Sequence, residues 1–417
     1  MLRHPNLPVS FFVQNRARLR ALLPPGSAAV VFSGEILPSE NADTHYPFEL
    51  NRSYYYLTGL MQPGGILWLF PGAPLSELEE VLFIPVSTAQ QRLWEGWSYS
   101  LVEAAQVSGV QEVKPLSEWA GFWRRHLGLV QALYLDFNEH ERQTTGQFPS
   151  QAHRFARRLQ QEHPAHRIER LAPLLYRLRM KKSPEEITRI REAIAITQEA
   201  YQRIMPLLRE GVYEYELEAE ILYIFTRHRA EPAFPSIIAG GERACVLHYT
   251  FNSQPLRGGE LVLIDMGARY GWYAADLTRT LPVGEIDAER RRYLAWVADV
   301  QQYAQTVLKP GISLHQWHST VVTYIREGLL SLGLLSQDEP LDAYKRYFPH
   351  GLGHFLGLDV HDVGYRYEPL EAGMVVTCEP GLYIPQKGIG IRIENDLLLT
   401  ENGCENLSAA LPDLLGL

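Results

Sequence analysis

Four carboxylates are set into the most apolar strand-like runs of this chain, and no other feature constrains its fold as strongly. Asp265 lies within Leu261-Val-Leu-Ile-Asp-Met-Gly, Asp276 within Tyr273-Ala-Ala-Asp-Leu-Thr, Glu379 ends Met374-Val-Val-Thr-Cys-Glu, and Glu394 lies within Gly390-Ile-Arg-Ile-Glu. Runs rich in β-branched residues form strands that pack into a core, where an unpaired carboxylate is costly or keeps its proton. The segment from Leu261 to Leu281 reads as a hairpin turning at Tyr270-Gly271, which places Asp265 directly opposite Asp276. Cross-strand partners have Cβ atoms roughly 4.5–5.5 Å apart, and like charges at that spacing destabilise a sheet unless something neutralises them. A cation would do so; for a single aspartate, an ion pair with Arg269 or Arg279 would serve equally well. Pro380 holds Glu379 extended, and if the strands around Glu379 and Glu394 run antiparallel the two glutamates approach each other. An ion pair can explain any one of these acids, but it does not comfortably explain all four.

His350-Gly-Leu-Gly-His354-Phe-Leu-Gly-Leu-Asp-Val-His361-Asp362 holds three of the fourteen histidines within twelve residues. Its glycines disfavour a helix and suit an extended, closely packed backbone. One imidazole among four carboxylates is a ligand set for two divalent ions. The predominance of oxygen favours Mn²⁺, and Co²⁺, Fe²⁺ and Zn²⁺ are also compatible. Such a pair activates a bridging water and polarises a carbonyl, giving hydrolysis without a covalent intermediate. Histidines that titrate near neutrality can move protons or stabilise an oxyanion. His248, taken alone, reads more readily as an ordinary packed or surface histidine, but its closeness in sequence to the Asp265 strand makes it a candidate. No G-x-S-x-G elbow, Walker loop or H-E-x-x-H helix competes with this chemistry.

With 417 residues the chain exceeds the size at which one core stops growing, so two domains are expected. Strands at Ala29–Phe32, Leu67–Phe70, Val81–Ile84 and Ala132–Asp136, with helical stretches between them, describe a small α/β domain over residues 1–172. The basic stretch Arg167–Lys182 leads into Ser183-Pro-Glu-Glu186, which supplies an N-cap, a proline at the first helical position and a capping-box glutamate. Helices over 187–208, 214–227, 288–307 and 314–332 alternate with strands, so residues 173–417 form an α+β domain. Acidic side chains outnumber basic ones 48 to 39, which argues against a nucleic-acid partner. No run is long enough to span a membrane, and residues 1–22 lack the apolar core of a signal peptide. Three cysteines make no disulfide framework and suit a reducing cytoplasm.

The ordered motifs Lys182-Ser-Pro-Glu-Glu186, Leu247-His-Tyr249, Leu263-Ile-Asp-Met-Gly267, Asp276-Leu-Thr-Arg-Thr280, His350-Gly-Leu-Gly-His354 to His361-Asp-Val-Gly364, Glu379-Pro-Gly-Leu-Tyr383 and Gly388-Ile-Gly-Ile-Arg-Ile-Glu394 resemble the metallopeptidase family with the pita-bread fold. Pro47-Phe48 with Asn51, Tyr55-Tyr-Leu-Thr-Gly59 and Trp94-Glu-Gly96 extend the likeness to the first domain of the aminopeptidase P subfamily, so nearly the whole chain is covered. The resemblance implies a proline-specific aminopeptidase that hydrolyses the bond between an N-terminal residue and a following proline, with a hydroxide shared by two divalent ions, and a homodimer or homotetramer. It implies metal ligands at Asp265, Asp276, His354, Glu379 and Glu394, with Asp276 and Glu394 as bridges. It places catalytic roles on His248, His350, His361 and Glu379, and substrate contacts on Arg392, Tyr383, Trp94 and Asp43. His248 is expected at the scissile carbonyl, His350 on the proline side and His361 at the leaving-group proton. Arg392 is expected to orient Glu394, Asp43 to partner His361, and Trp94 to reach a neighbouring subunit. The short Pro385–Gly388 loop and Phe234-Pro235, in a stretch where relatives can carry a tyrosine, depart from the family pattern. Prolidase, an X-Pro dipeptidase, is the alternative on the same fold. A non-catalytic peptide-binding relative is disfavoured by the intact ligand set, as is the metal-free creatinase; methionine aminopeptidase usually lacks so large a first domain.

Overall fold

A computed structural model describes residues 6–37, 39, 45–137, 139 and 149–411. The chain forms two compact units, Met1–Leu178 and Arg179–Leu417.

In the first unit a six-stranded sheet has the order β4-β3-β2-β1-β5-β6. Its strands are β1 (Ser27–Phe32), β2 (Ile66–Leu69), β3 (Glu80–Ile84), β4 (Glu112–Pro115), β5 (Ala132–Leu135) and β6 (Arg167–Arg170). The four central strands are the apolar runs that the sequence marks. The two it does not mark, β4 and β6, are the sheet's edges, with no fully buried residue between them. Polar composition there is how a sheet blunts its margins, and it removes the apolar signal by which a strand is recognised. Trp68, Phe83, Trp119 and Phe122 pack with ring centroids 5.0–6.4 Å apart between the sheet and the helix Trp119–His126. Asn51 caps the helix Arg52–Thr58 by accepting from the Ser53 and Tyr54 amides, and Gly59 ends it with φ 70°, a left-handed conformation that glycine adopts without penalty.

The second unit runs twice through a pair of helices followed by strands. The first pair is Pro184–Ile204 and Glu214–Arg227; the second is Ala288–Val307 and Leu314–Ser331. Strands β7 (Glu231–Pro232), β8 (Ile237–Gly240), β9 (Leu261–Met266), β10 (Ala268–Tyr270), β11 (Tyr273–Ala274) and β12 (Leu277–Pro282) follow the first pair. Strands β13 (Val375–Cys378), β14 (Gly381–Ile384), β15 (Ile389–Arg392), β16 (Asn395–Leu399) and β17 (Cys404–Asn406) follow the second. The Thr280 hydroxyl donates to the Arg392 carbonyl at 3.0 Å, and the Glu394 amide to the Thr278 carbonyl at 3.0 Å, so the two strand sets meet beside their acids. Trp317, fully buried, anchors the core behind them and donates to the Ala304 carbonyl at 2.9 Å. Among the described residues no helix is long and apolar enough to cross a membrane.

The capping box read at Ser183 is present: Ser183 accepts from the Glu186 amide, and Glu186 accepts from the Ser183 amide at 2.8 Å. Glu186 is fully buried, and burial pushes its carboxyl up to about 7 against the opposing pull of the Ser183 amide, the Lys182 charge and the Tyr273 hydroxyl. The folded chain therefore holds this proton more tightly than the unfolded chain, whose glutamate titrates near 4.5. Its stabilising contribution is complete below pH 4.5 and is lost as pH rises through 7. Replacing Glu186 by Gln, which still completes a capping box, should raise stability relative to the parent above pH 7 by on the order of 2–3 kcal/mol. No such gain is expected below pH 4.5. Urea unfolding of both chains at acid and alkaline pH measures this, and an equal difference at the two pH values would refute the assignment.

Candidate active site

Asp265 and Asp276 do not face each other as the hairpin reading requires. The turn is at Gly271-Trp272, not Tyr270-Gly271; both turn residues have positive φ, 57° and 73°, as the tight two-residue hairpin turn demands. The shift pairs Asp265 with Thr278 and leaves Asp276 two residues nearer the turn. Because side chains alternate with a period of two, that offset keeps both acids on one face as diagonal neighbours, a spacing that long side chains and a shared ion can bridge. The second pair matches expectation. Cys378 pairs with Asn395 and Gly381 with Arg392, one continuous register that brings Glu379 opposite Glu394 where the two ladders are interrupted.

The cluster is built from three directions. One ligand atom each from Asp276, His354 and Glu394 lie within 4.8 Å of one another, and His354 Nε2 is 3.4 Å from Asp276 and 3.6 Å from Glu379. The imidazole is held from behind: Nδ1 donates to the Phe355 carbonyl at 3.0 Å, which turns Nε2 towards the acids. As the glycines imply, the His350–His361 segment is irregular, touching β13 by a bridge at Phe355 and Val376.

Asp276 and Glu379 share His354, whereas Asp265 and Glu394 each have a partner of their own. Asp265 Oδ2 accepts from Arg392 at 2.5 Å, whereas Oδ1 is buried and without a hydrogen-bond partner. Glu394 accepts from the Thr278 hydroxyl at 2.7 Å. Arg392 does not bond the Glu394 carboxylate directly: its guanidinium donates to Asp265, to the Tyr383 hydroxyl at 3.0 Å and to the Thr278 hydroxyl at 3.2 Å, and that hydroxyl in turn donates to Glu394. The ion pair considered for Asp265 does form, but with Arg392. Arg279 instead donates to the Glu394 carbonyl and Asn395, and Arg269 to the Ala233 carbonyl. Arg392 and Tyr383 are both buried, so their polar atoms serve this internal network.

Electrostatics show how much positive charge the cluster needs. Burial raises the Asp265 carboxyl to about 7 despite Arg392, with the Asp276 charge adding to the rise. Burial and the charges of Asp276, Glu379 and Asp265 lift Glu394 well above the carboxylate range. Burial alone would lower His354, yet its hydrogen bond to Asp276 and the Glu379 charge raise it to about 9. An orphaned carboxylate oxygen, mutually repelling acids and a pre-oriented imidazole fit divalent cations.

Three further histidines of the second unit lie near this cluster. His350 Nε2 is 2.9 Å from the Tyr383 hydroxyl and Nδ1 is 3.7 Å from Glu379; burial and Arg392 lower its pKa to about 3. His248 is exposed and close enough for its charge to act on His350. The His361 ring lies 4.0 Å from that of His354. Trp94 is exposed on the helix Ala89–Glu95 of the first unit, and Asp43 lies outside the described residues.

Several contributors escaped the sequence reading. Tyr201, buried in the helix Pro184–Ile204, donates to the Ile264 and Leu277 carbonyls beside the two aspartates. Asp396 accepts from the Asp276 amide at 3.1 Å. His318 accepts from the Leu352 amide at 3.2 Å, between His350 and His354. Asp362 is gripped by Arg179 at 2.6 Å and Lys182 at 3.0 Å. Burial would raise Asp362, but these cations outweigh it and hold it below the usual range. Only its adjacency to His361 could have marked Asp362, and nothing local marks the others.

Acids in and at the ends of converging strands, with one histidine on an irregular segment beside them, form the ligand set of a metallohydrolase. Residues 188–401 match the model of metallopeptidase family M24, and residues 12–134 that of the aminopeptidase P N-terminal domain. The chain is 37% identical over 426 residues to the Xaa-Pro aminopeptidase of Haemophilus influenzae, covering 97% of this chain and 95% of that one. Its fold is similar to a putative aminopeptidase P from Bacillus anthracis, with TM-score 0.92, 34% identity and coverage of 98% and 97%. It is also similar to aminopeptidase P from E. coli with the inhibitor Pro-Leu, with TM-score 0.87, 33% identity and coverage of 99% and 97%. The chain belongs to metallopeptidase family M24 and, by both of its domains, to the aminopeptidase P group within it: a pita-bread catalytic domain preceded by a smaller α/β domain.

Proposed function

We propose that this metallo-aminopeptidase hydrolyses the bond between an N-terminal residue and a following proline, using two manganese ions held by Asp265, Asp276, His354, Glu379 and Glu394. The observation that carries the metal reading is the cluster of Asp276, His354 and Glu394, with the orphaned Asp265 oxygen beside it. Proline specificity is supported by likeness to Xaa-Pro aminopeptidases over both domains. Divalent cations bound there supply Lewis acidity and lower the pKa of water. Glu379 is within reach of His350 and His354 to hold a proton during attack. His248 donates to the carbonyl oxygen, His350 lines the proline side, and His361 delivers a proton to the leaving nitrogen. Tyr383 and Arg392 shape the site from beneath and Trp94 reaches the site of a neighbouring subunit; catalysis resides in residues 173–417, which the first domain, residues 1–172, precedes. The exposed Leu93, Trp94 and Trp97 support a homodimer or homotetramer, and the three free cysteines support a cytoplasmic setting.

The test is release of the first residue from Arg-Pro-Pro and from Gly-Pro, by chelated protein and after Mn²⁺ is restored. Chelation should abolish cleavage of the tripeptide and Mn²⁺ should restore it. Cleavage confined to Gly-Pro would make the chain a prolidase, and cleavage of neither would reduce it to a peptide-binding relative.

A further inference from the structure

Glu214, the first residue of the helix Glu214–Arg227, has a side chain with no exposure and uses all its acceptor capacity on a single loop. Its Oε1 accepts from the Gly240 amide at 3.1 Å and from Arg243 Nε at 2.7 Å. Its Oε2 accepts from the Tyr249 hydroxyl at 2.9 Å and from the Gln254 amide at 3.0 Å. A carboxylate offers about four lone-pair sites, and here all four hold points between residues 240 and 254. His248 lies within that span and adjoins Tyr249. Other contacts complete the frame. Cys245 donates to the Ile389 carbonyl at 3.2 Å, and Gly390 permits contact with the loop so close that a Cβ would stand 2.3 Å from the Ala244 carbonyl oxygen. Beyond the histidine, Asn252 takes a left-handed φ of 44°, and its side chain bonds the Ile238 amide and the Ser236 carbonyl. The exposed imidazole is thus carried on a short arch whose two feet share one buried carboxylate.

We propose that Glu214 is a positioning residue for His248, acting on the reaction through that histidine without touching substrate; this rests on the proposed peptidase reading. The helix could have been started by a smaller capping residue, and a structural need for an N-terminal acid does not require four donors drawn from one loop. In Glu214→Gln one oxygen becomes an NH₂ group facing donors. The arch loses two of its ties and the imidazole drifts, and displacement on the order of 1 Å can cost about 100-fold in rate.

The experiment is a double-mutant cycle on the full-length, Mn²⁺-loaded protein with Arg-Pro-Pro, using the parent, E214Q, H248A and E214Q/H248A. E214Q should lower kcat by roughly 10- to 100-fold with KM little changed, and should change it less than about 3-fold when His248 is already alanine. Bound manganese should stay at the parental level in all four proteins. Should E214Q fail to fold, Y249F replaces it in the same cycle, with a smaller loss expected that again disappears in the H248A background. Additive losses, or a parental kcat in E214Q, would overturn the inference. A parental kcat in H248A would overturn it while leaving the peptidase reading intact, and absence of metal-dependent cleavage by the parent would overturn both.

Discussion

Asp276→Asn is expected to lower kcat for Arg-Pro-Pro by at least about 10³-fold, the loss of several kcal/mol of transition-state stabilisation, with the chain still folded. Asparagine has nearly the volume of aspartate and can still accept hydrogen bonds, and the tie from the Asp276 amide to Asp396 belongs to the backbone. What disappears is a negative charge 3.4 Å from His354 Nε2, in the group of three side chains whose ligand atoms converge most closely. A neutral amide binds divalent cations far less well than a carboxylate and cannot bridge two of them with charge. Bound manganese should therefore fall together with kcat, while circular dichroism stays unchanged. A variant that keeps its full metal content and turns over at a tenth of the parental rate or better would remove Asp276 from the ligand set.

The second large effect is on stability. Arg392→Met should destabilise the metal-free protein by about 3–5 kcal/mol, because removing one partner of a buried pair leaves the other uncompensated. Arg392 and Asp265 are both buried, and the guanidinium also donates to Thr278 and Tyr383, so methionine strands three acceptors at once. For a domain of this size that corresponds to a fall in Tm of roughly 10 °C, which calorimetry would resolve. Arg392→Lys should recover only part of it, since one ammonium cannot reproduce a planar fork aimed at three oxygens. A Tm within a degree of the parent in the methionine variant would show that the pair contributes nothing net.

Much of this protein could be read from its sequence because the informative residues break a pattern. Asp265, Asp276, Glu379 and Glu394 stand out as charges within apolar strands. The glycines around His354 mark a backbone that must be closely packed, and the capping box at Ser183 marks the start of the long helix Pro184–Ile204. These are local signals, set by propensity and by the cost of burying charge, and they sufficed for the fold class, the four helices of the second unit and the chemistry. The edge strands β4 and β6 carried no such signal, because solvent-facing margins select polar residues.

What only the tertiary structure decided is which groups meet. The hairpin register turned on two positive φ angles at Gly271 and Trp272, and a shift of the turn by one residue changed the partner of Asp265 from Asp276 to Thr278. The choice among Arg269, Arg279 and Arg392 as the cation for Asp265 depended on how segments more than a hundred residues apart converge, as did the contact of Asp396 with the Asp276 amide, while Tyr201 reaches the Ile264 and Leu277 carbonyls from a helix well before them in the chain. Glu214 looked like any acid at a helix start until four donors from one loop closed on it. Residue type and periodicity are local properties of a chain, so the sequence by itself determined the elements and the kind of chemistry. The pairing of charges is a long-range property, settled only when burial forces each polar atom to find a partner.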